Sequence, residues 1–365
     1  PIEIFCFNYK YIRFLMKRLI AILVISLAYS LAFGQEYKDI SGDYTLKFPG
    51  DFYYKKDYRV QWWYFTGHLF DEKGREFGYE LTFFVVGIQK KPYKSKFGLN
   101  NIYISHFALT DVEDNTFYFS DKADSGAFDF AGVKDNQLNI WIGKNSIKGT
   151  MGKIYLSASD TDKALNLTLI SAKQVVLHGE GGYSRKSEES PLIASFYFSY
   201  TNLRTEGSLK IGNKRYRVKG KSWFDREISS RGLGQKQVGW DWFSIQLDNN
   251  IEIMLYLLRN KDGSIDKNSS GTFIYNDGTY RHLSKDDFSV TVLSRYRSKK
   301  TGARYPSKWE IKIPTEKIHL RLSPLIEDQE LVTTRSTFNY YWEGACTVEG
   351  SKRGKAYVEM TGYTK

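Results

Sequence analysis

Trp62-Trp63-Tyr64-Phe65-Thr66-Gly67-His68-Leu69, at residues 62–69, recurs without gaps as Trp240-Asp241-Trp242-Phe243-Ser244-Ile245-Gln246-Leu247 at residues 240–247. Each copy is followed by a turn and a further apolar run. Side chains of an extended chain alternate between two faces, so the first, third, fifth and seventh positions of each copy lie together. One face then carries Trp62, Tyr64, Thr66 and His68 in the first copy and Trp240, Trp242, Ser244 and Gln246 in the second. An aromatic face that turns polar at one end suits the wall of a ligand cavity; aromatics also fill dry barrel cores, and for the second copy the two readings stand level. Phe65 and Leu69, or Phe243 and Leu247, occupy the packing face. The duplication predicts two related β-barrel domains in tandem.

The remainder of the chain agrees with that reading. From Tyr44 onward, short alternating or apolar runs are separated by Gly, Asn and Asp turns such as Asp262-Gly263 and Asn276-Asp277-Gly278, and no stretch sustains a helical period. The 27 Tyr, 24 Phe and 8 Trp against only 7 Pro and 4 Met favour strands and cavity walls over helix bundles. A first round of strands is expected over 61–69, 77–86, 102–110, 138–142, 153–159, 165–170 and 195–203. A second round begins at 208–211 and 215–223 and runs to 355–362. This places an N-terminal β-barrel-like domain over 35–215 and a C-terminal one over 216–365.

The formal charge of +12 is scattered rather than gathered into a basic stripe, which argues against a nucleic-acid partner and for a solvated surface, at most with weak peripheral affinity for an anionic membrane. No obligate protein partner is indicated. Residues 1–34 read as an export address: Met16-Lys17-Arg18 opens a basic head, Leu19 to Ala28 form an apolar run, and Ala32-Phe33-Gly34 supply small residues before Gln35. Met16 is the expected true start. Cleavage would leave Cys346 as the single cysteine, with no intrachain disulfide to form.

The second copy of the repeat is preceded by Ser222-Trp223-Phe224-Asp225-Arg226-Glu227 and a Gly-rich loop at Gly232-Leu233-Gly234. Alternation puts Trp223, Asp225 and Glu227 on one face and Phe224 and Arg226 on the other. A carboxyl group held against indole in an apolar site has a raised pKa and suits a general acid. The plainer reading, favoured by local pattern alone, is that Asp225, Arg226 and Glu227 form an ion pair closing the end of a strand. His68, His106 and His178 match no tight metal-ligand spacing, and no metal is expected. No Gly-x-Ser-x-Gly elbow supports a serine hydrolase.

Taken together and in order, QWWYFTGHL, SHFAL, GKSWFDRE, GWDWFSIQLDNN, YPSKWEIKIP, YWEGAC and AYVEMTGY resemble the carotenoid 1,2-hydratase (hydroxyneurosporene synthase) family, whose members include lipocalin-like secreted proteins. The resemblance spans nearly the whole chain after the leader and implies an all-β fold of two tandem lipocalin-like antiparallel barrels. It also implies hydration of an isolated alkene without a cofactor, which needs a proton donor, aromatic faces for the resulting cation and a directed water. On that basis Asp225 is the expected proton donor, and His68 or His106 the group that holds the water or relays its proton. Trp62, Tyr64, Trp223, Trp240, Trp242, Arg226 and Glu227 are the expected ligand-lining residues. His106 also shares a face with Ile102, Ile104 and Ala108, as a hydrogen-bonded core histidine would. Gln61 stands where the family pattern carries Glu. The expectation is an exported, cofactor-independent hydro-lyase acting on a hydrophobic, isoprenoid or carotenoid-like small molecule; the alternative is a non-catalytic carrier of a hydrophobic ligand in the cell envelope.

Overall fold

A computed structural model describes residues 37–90 and 98–364. The leader expected over 1–34 lies outside them. The described chain forms two curled antiparallel sheets of thirteen and ten strands, and its only helical elements are single 3-10 turns. Among the described residues no helix is long and apolar enough to cross a membrane.

The first sheet runs in the order Thr116–Asp124, Asn101–Asp111, Glu76–Gly87, Val60–Asp71, Lys214–Ser229, Ala194–Ile211, Lys163–Ser171 and Lys153–Asp160, and then continues to Ala131–Val133. It curls until its ends approach: Lys122 Nζ donates to Ser159 O at 2.7 Å, and Asn145 Nδ2 to Ser105 Oγ at 3.0 Å. The result is a nearly closed barrel, and the second sheet is a half-barrel. In the half-barrel the central order is Glu252–Asn260, Gln237–Leu247, Gly354–Thr361 and Tyr341–Gly350.

Two details depart from the strand pattern read in the sequence. The runs at 195–203 and 208–211 are one strand, Ala194–Ile211, with a register irregularity between Tyr200 and Leu203. The domain boundary expected at 215/216 falls inside Lys214–Ser229, which pairs with Ala194–Ile211 on one side and Val60–Asp71 on the other. The chain therefore passes from the first sheet to the second between Ser229 and Gln237. A strand's own residues say that it is a strand; which neighbour completes its hydrogen bonds is decided by elements far away in sequence.

The alternation predicted for the repeat holds in both copies. Trp63, Phe65 and Leu69 are buried in the apolar core of the first sheet, and Phe243, Ile245 and Leu247 in that of the second. The opposite faces meet: Tyr64, Tyr197 and Trp223 of the first sheet pack with Trp242, Met254, Tyr256 and Tyr357 of the second in a separate cluster. The two barrels thus dock through their outer faces.

The repeat also supplies matching ties at its seventh position. His68 Nε2 reaches Ala356 O of the second sheet at 2.9 Å, and Gln246 Nε2 reaches Thr201 O of the first at 2.7 Å. Each side chain bridges to a backbone carbonyl of the other sheet. Close approach elsewhere depends on Gly78, where a Cβ would lie 2.6 Å from that of Ala345.

Candidate functional site

Between the docked faces lies a cavity of about 350 Å³, at the small end of the range for ligand sites. Both copies of the repeat wall it, with Trp62 and Tyr64 on one side and Trp240 and Trp242 on the other. Tyr64 meets Trp242 edge to face at 5.2 Å between ring centres. Both barrel interiors are packed with apolar side chains, so the aromatic face of the second copy lines a cavity rather than a dry barrel core, and that cavity lies between the barrels rather than within either.

Asp225 opens onto this cavity and is 4 % exposed. The Lys214–Ser229 strand presents it on the same face as Glu227, with Trp223 buried two residues earlier. Trp223 Nε1 donates to Asp225 Oδ1 at 2.6 Å and Tyr197 OH to Oδ2 at 2.7 Å, while the Ser199 hydroxyl also donates to Oδ1. Tyr197 in turn accepts from Trp242 Nε1 at 2.9 Å. Ser199 lies 2.7 Å from His178 Nε2, and burial holds that imidazole in its neutral form. Burial pushes the Asp225 pKa up to about 7, opposed by the hydrogen bonds from Ser199, Tyr197 and Trp223. An acid poised near neutrality can both give and regain a proton.

The ion pair weighed for Asp225-Arg226-Glu227 takes a different form. Arg226 points to the opposite face, fully buried, and therefore does not line the cavity. Its guanidinium lies 3.7 Å from the Trp63 ring centre and donates to Gln61 Oε1 at 2.7 Å, Tyr53 O at 2.9 Å and Glu227 O at 2.8 Å. Gln61, in the position expected to be acidic, serves as a neutral acceptor for this arginine. Glu227 does line the cavity and pairs there with Lys186 at 2.9 Å. Burial is the largest single influence on Lys186 and lowers its pKa, but the charge and hydrogen bond of Glu227 together with Tyr256 and Asp225 outweigh it, and the net shift is upward. The pair leaves no uncompensated cation beside the rings.

The two histidines expected to handle water are separated. His106 reaches the cavity, with Nδ1 on Tyr341 OH and Nε2 on Ser336 Oγ at 2.9 Å, and burial drives its pKa down to about 3. It is a neutral, doubly hydrogen-bonded ring. His68 is outside the cavity lining, held between Glu76 at 3.0 Å and Ala356 O; period-two alternation placed it on the right face, but two residues beyond Thr66 the sheets have already closed on each other. Trp223 also sits behind the lining, acting on Asp225 rather than on the cavity. Trp62, Tyr64, Trp240, Trp242, Asp225, Glu227 and His106 are brought together.

The sequence reading passed over a second acidic group. Glu343 and Glu359 line the cavity from the second sheet, and their Cα atoms are direct partners across two antiparallel strands. Tyr64 OH donates to Glu343 Oε2 at 2.9 Å, and Trp240 donates to Glu359. Glu80 stands behind them, fully buried, hydrogen-bonded to Thr82. Burial and then the charges of Glu359 and Glu80 hold the Glu343 pKa well above the carboxylate range; burial carries Glu359 and Glu80 up to about 8. The signal lay in two motifs already quoted, Tyr341-Trp342-Glu343 and Tyr357-Val358-Glu359. Each is a Tyr-x-Glu that sets an acid beside a phenol on one face of a strand.

These carboxyls make stability depend on pH. Their folded pKa values lie above the unfolded ones, so the folded state holds more protons and their contribution is fully present only below about pH 4. It is lost as pH rises through about 7 for Asp225 and about 8 for Glu359 and Glu80, with a slope on the order of 1.4 kcal/mol per pH unit for one such group. Glu359→Gln should flatten the fall in denaturation midpoint between about pH 5 and pH 9. Parallel curves for the variant and the parent would refute this assignment.

Comparison with known proteins returns the same architecture. A protein from Nitrosomonas europaea assigned to AttH superposes with a TM-score of 0.82 at 29% identity, covering 90% of this chain and 100% of the other. Kievitone hydratase from Nectria haematococca gives a TM-score of 0.67 at 16% identity, with 92% and 99% covered. CghA with Sch210972 gives 0.50 at 13% identity, with 92% and 98% covered; at these lower identities the likeness is one of fold. A comparison with curated proteins finds no match. The AttH-like family pattern runs through residues 40–363, taking in both sheets and every residue of the cavity, and the chain belongs to that family, in which the carotenoid 1,2-hydratase-like lipocalin fold recurs.

Proposed function

We propose that the protein is an exported, cofactor-independent hydro-lyase that adds water to an alkene of an apolar, isoprenoid-like substrate held between the two barrels. The observation that carries this reading is a buried carboxyl, Asp225, poised near neutrality on the first-sheet wall of an aromatic cavity. The kievitone hydratase fold and the resemblance to carotenoid 1,2-hydratases point the same way, and the basic and apolar pattern of residues 16–34 supports export.

The chemistry is balanced by one group. Asp225 gives its proton to the less substituted alkene carbon, and the π electrons form the new C–H bond. The cation left on the tertiary carbon faces the rings of Trp62, Tyr64, Trp240 and Trp242, whose electron-rich faces stabilise it. A water oxygen forms the C–O bond, and the proton that water sheds returns to the Asp225 carboxylate. The Tyr197, Ser199 and Trp223 donors stabilise that carboxylate while it waits. A cavity of about 350 Å³ accommodates the reacting end of a long chain rather than all of it.

The test is incubation with acyclic isoprenoids of increasing chain length in water enriched in heavy oxygen. One labelled oxygen in a tertiary alcohol product is the expected result. Tight retention of an isoprenoid with no labelled product would instead mean a carrier and end the catalytic reading.

A further inference from the structure

Glu343 is a cavity-lining acid that the hydration step does not use. It is fully buried, lines the cavity, and finds no protein partner for its Oε1. Glu80 Oε2 and the hydroxyl of Tyr357, both buried nearby, are also without protein partners. Unmet polarity gathered on and just behind one part of the cavity wall is unusual, because each such group carries a penalty of roughly 1–3 kcal/mol. Glu343 and Glu359 face each other directly across neighbouring strands, where two like charges repel. The charged groups acting on Glu343 are the other carboxyls, Glu359 and Glu80, and its hydrogen-bond partner is the Tyr64 phenol. Among the described residues neither carboxyl has an ion-pair partner, and burial with mutual repulsion favours the protonated pair, in which a neutral carboxyl is a hydrogen-bond donor.

We infer that Glu343 and Glu359 form a donor pair that recognises a neutral carbonyl or hydroxyl oxygen of the substrate. The substrate is then not a pure hydrocarbon: it carries its reacting alkene toward Asp225 on the first sheet and an oxygen toward the second. A hydrocarbon would leave this donor pair buried and unpaired, which is the situation in which polar sites discriminate most strongly. The Tyr64 and Trp242 rings stand between the two ends: Tyr64 is the Cα partner of Asp225 and reaches Glu343 with its hydroxyl, and Trp242 is the Cα partner of Glu359. This deepens the hydro-lyase reading by naming a polar group on its substrate, and rests on that reading only in taking the cavity as the substrate site.

The test uses three probes of one carbon skeleton, farnesene, farnesol and farnesal, with binding followed by quenching of tryptophan fluorescence, so that no turnover is required. At pH 6 the alcohol and the aldehyde should bind on the order of 10- to 100-fold more tightly than the hydrocarbon. That preference should vanish in Glu343→Leu and shrink above pH 9, where Glu359 and Glu80 ionise beside Glu343, Tyr64, Tyr341, His106 and Tyr357. The double variant Glu343→Gln with Glu359→Gln keeps donors that do not titrate; it guards against a folding defect in the leucine variant and should retain the preference at both pH values. Equal affinities for the three probes in the parent protein, including no measurable binding of any, overturn the inference, as does a preference that survives Glu343→Leu. Asp225→Asn should leave the preference intact. An oxygen preference without labelled alcohol would sink the hydro-lyase reading alone, and turnover without an oxygen preference would sink the donor pair alone.

Discussion

Replacing Asp225 with Asn should lower turnover by roughly 10²- to 10⁴-fold, the usual contribution of a positioned general acid, while leaving the fold and ligand retention intact. The hydrogen-bond shell explains why the variant should fold. An Asn carbonyl can still accept from Trp223 Nε1 and the Ser199 hydroxyl, which now share Oδ1. The new amide would face Tyr197, whose hydroxyl can turn to accept, since it already accepts from Trp242 Nε1. The change costs about 1 kcal/mol of hydrogen bonding and removes the proton that Asp225 can give up near neutral pH. In the parent protein turnover should decline as pH rises through about 7, where Asp225 loses its proton. Labelled-product assays at a series of pH values check both statements, and a variant retaining more than a tenth of parental turnover would rule out Asp225 as the donor.

The largest effect on stability is expected at Arg226, one strand position from both Asp225 and Glu227 and on the opposite face. Arg226→Ala should destabilise the protein by roughly 3–5 kcal/mol, through lost packing on Trp63 and the loss of a donor at buried acceptors. The carbonyls of Tyr53 and Glu227 lose the guanidinium, and Gln61 Oε1 keeps only the Lys55 N–H. Arg226→Lys should recover only part of the loss, because an ammonium cannot reproduce the planar fork or the stacking. Urea denaturation with a common slope measures both changes. An unchanged midpoint for the alanine variant would mean that the Arg226–Trp63 stack contributes nothing to holding the strand.

The two predictions concern neighbours, Asp225 and Arg226, that alternation sends to opposite sides of one strand. That division was legible before any coordinate was known. So was the pairing of aromatic faces at 62–69 and 240–247, because each is a statement about a single strand's own side chains. His68 shows where such reasoning stops. It lies on the cavity face of the repeat as expected, yet it ties one sheet to the other, because where two surfaces close is set by their mutual docking. Glu343 and Glu359 were missed for a related reason: an acid in a strand reads as solvent-facing until a second surface covers it.

Sequence by itself therefore determined the class of fold, its duplication and the side of the strand on which the aromatic residues of the repeat, Asp225, Arg226 and Glu227 stand. These follow from the two-residue period of extended chain, which is local. The tertiary structure alone decided that Lys214–Ser229 completes the first barrel, that the cavity lies between the barrels and that two sets of carboxyls meet across it. Strand pairing and sheet docking join residues far apart in the chain, and it is docking that removes the water and turns ordinary acids into neutral ones.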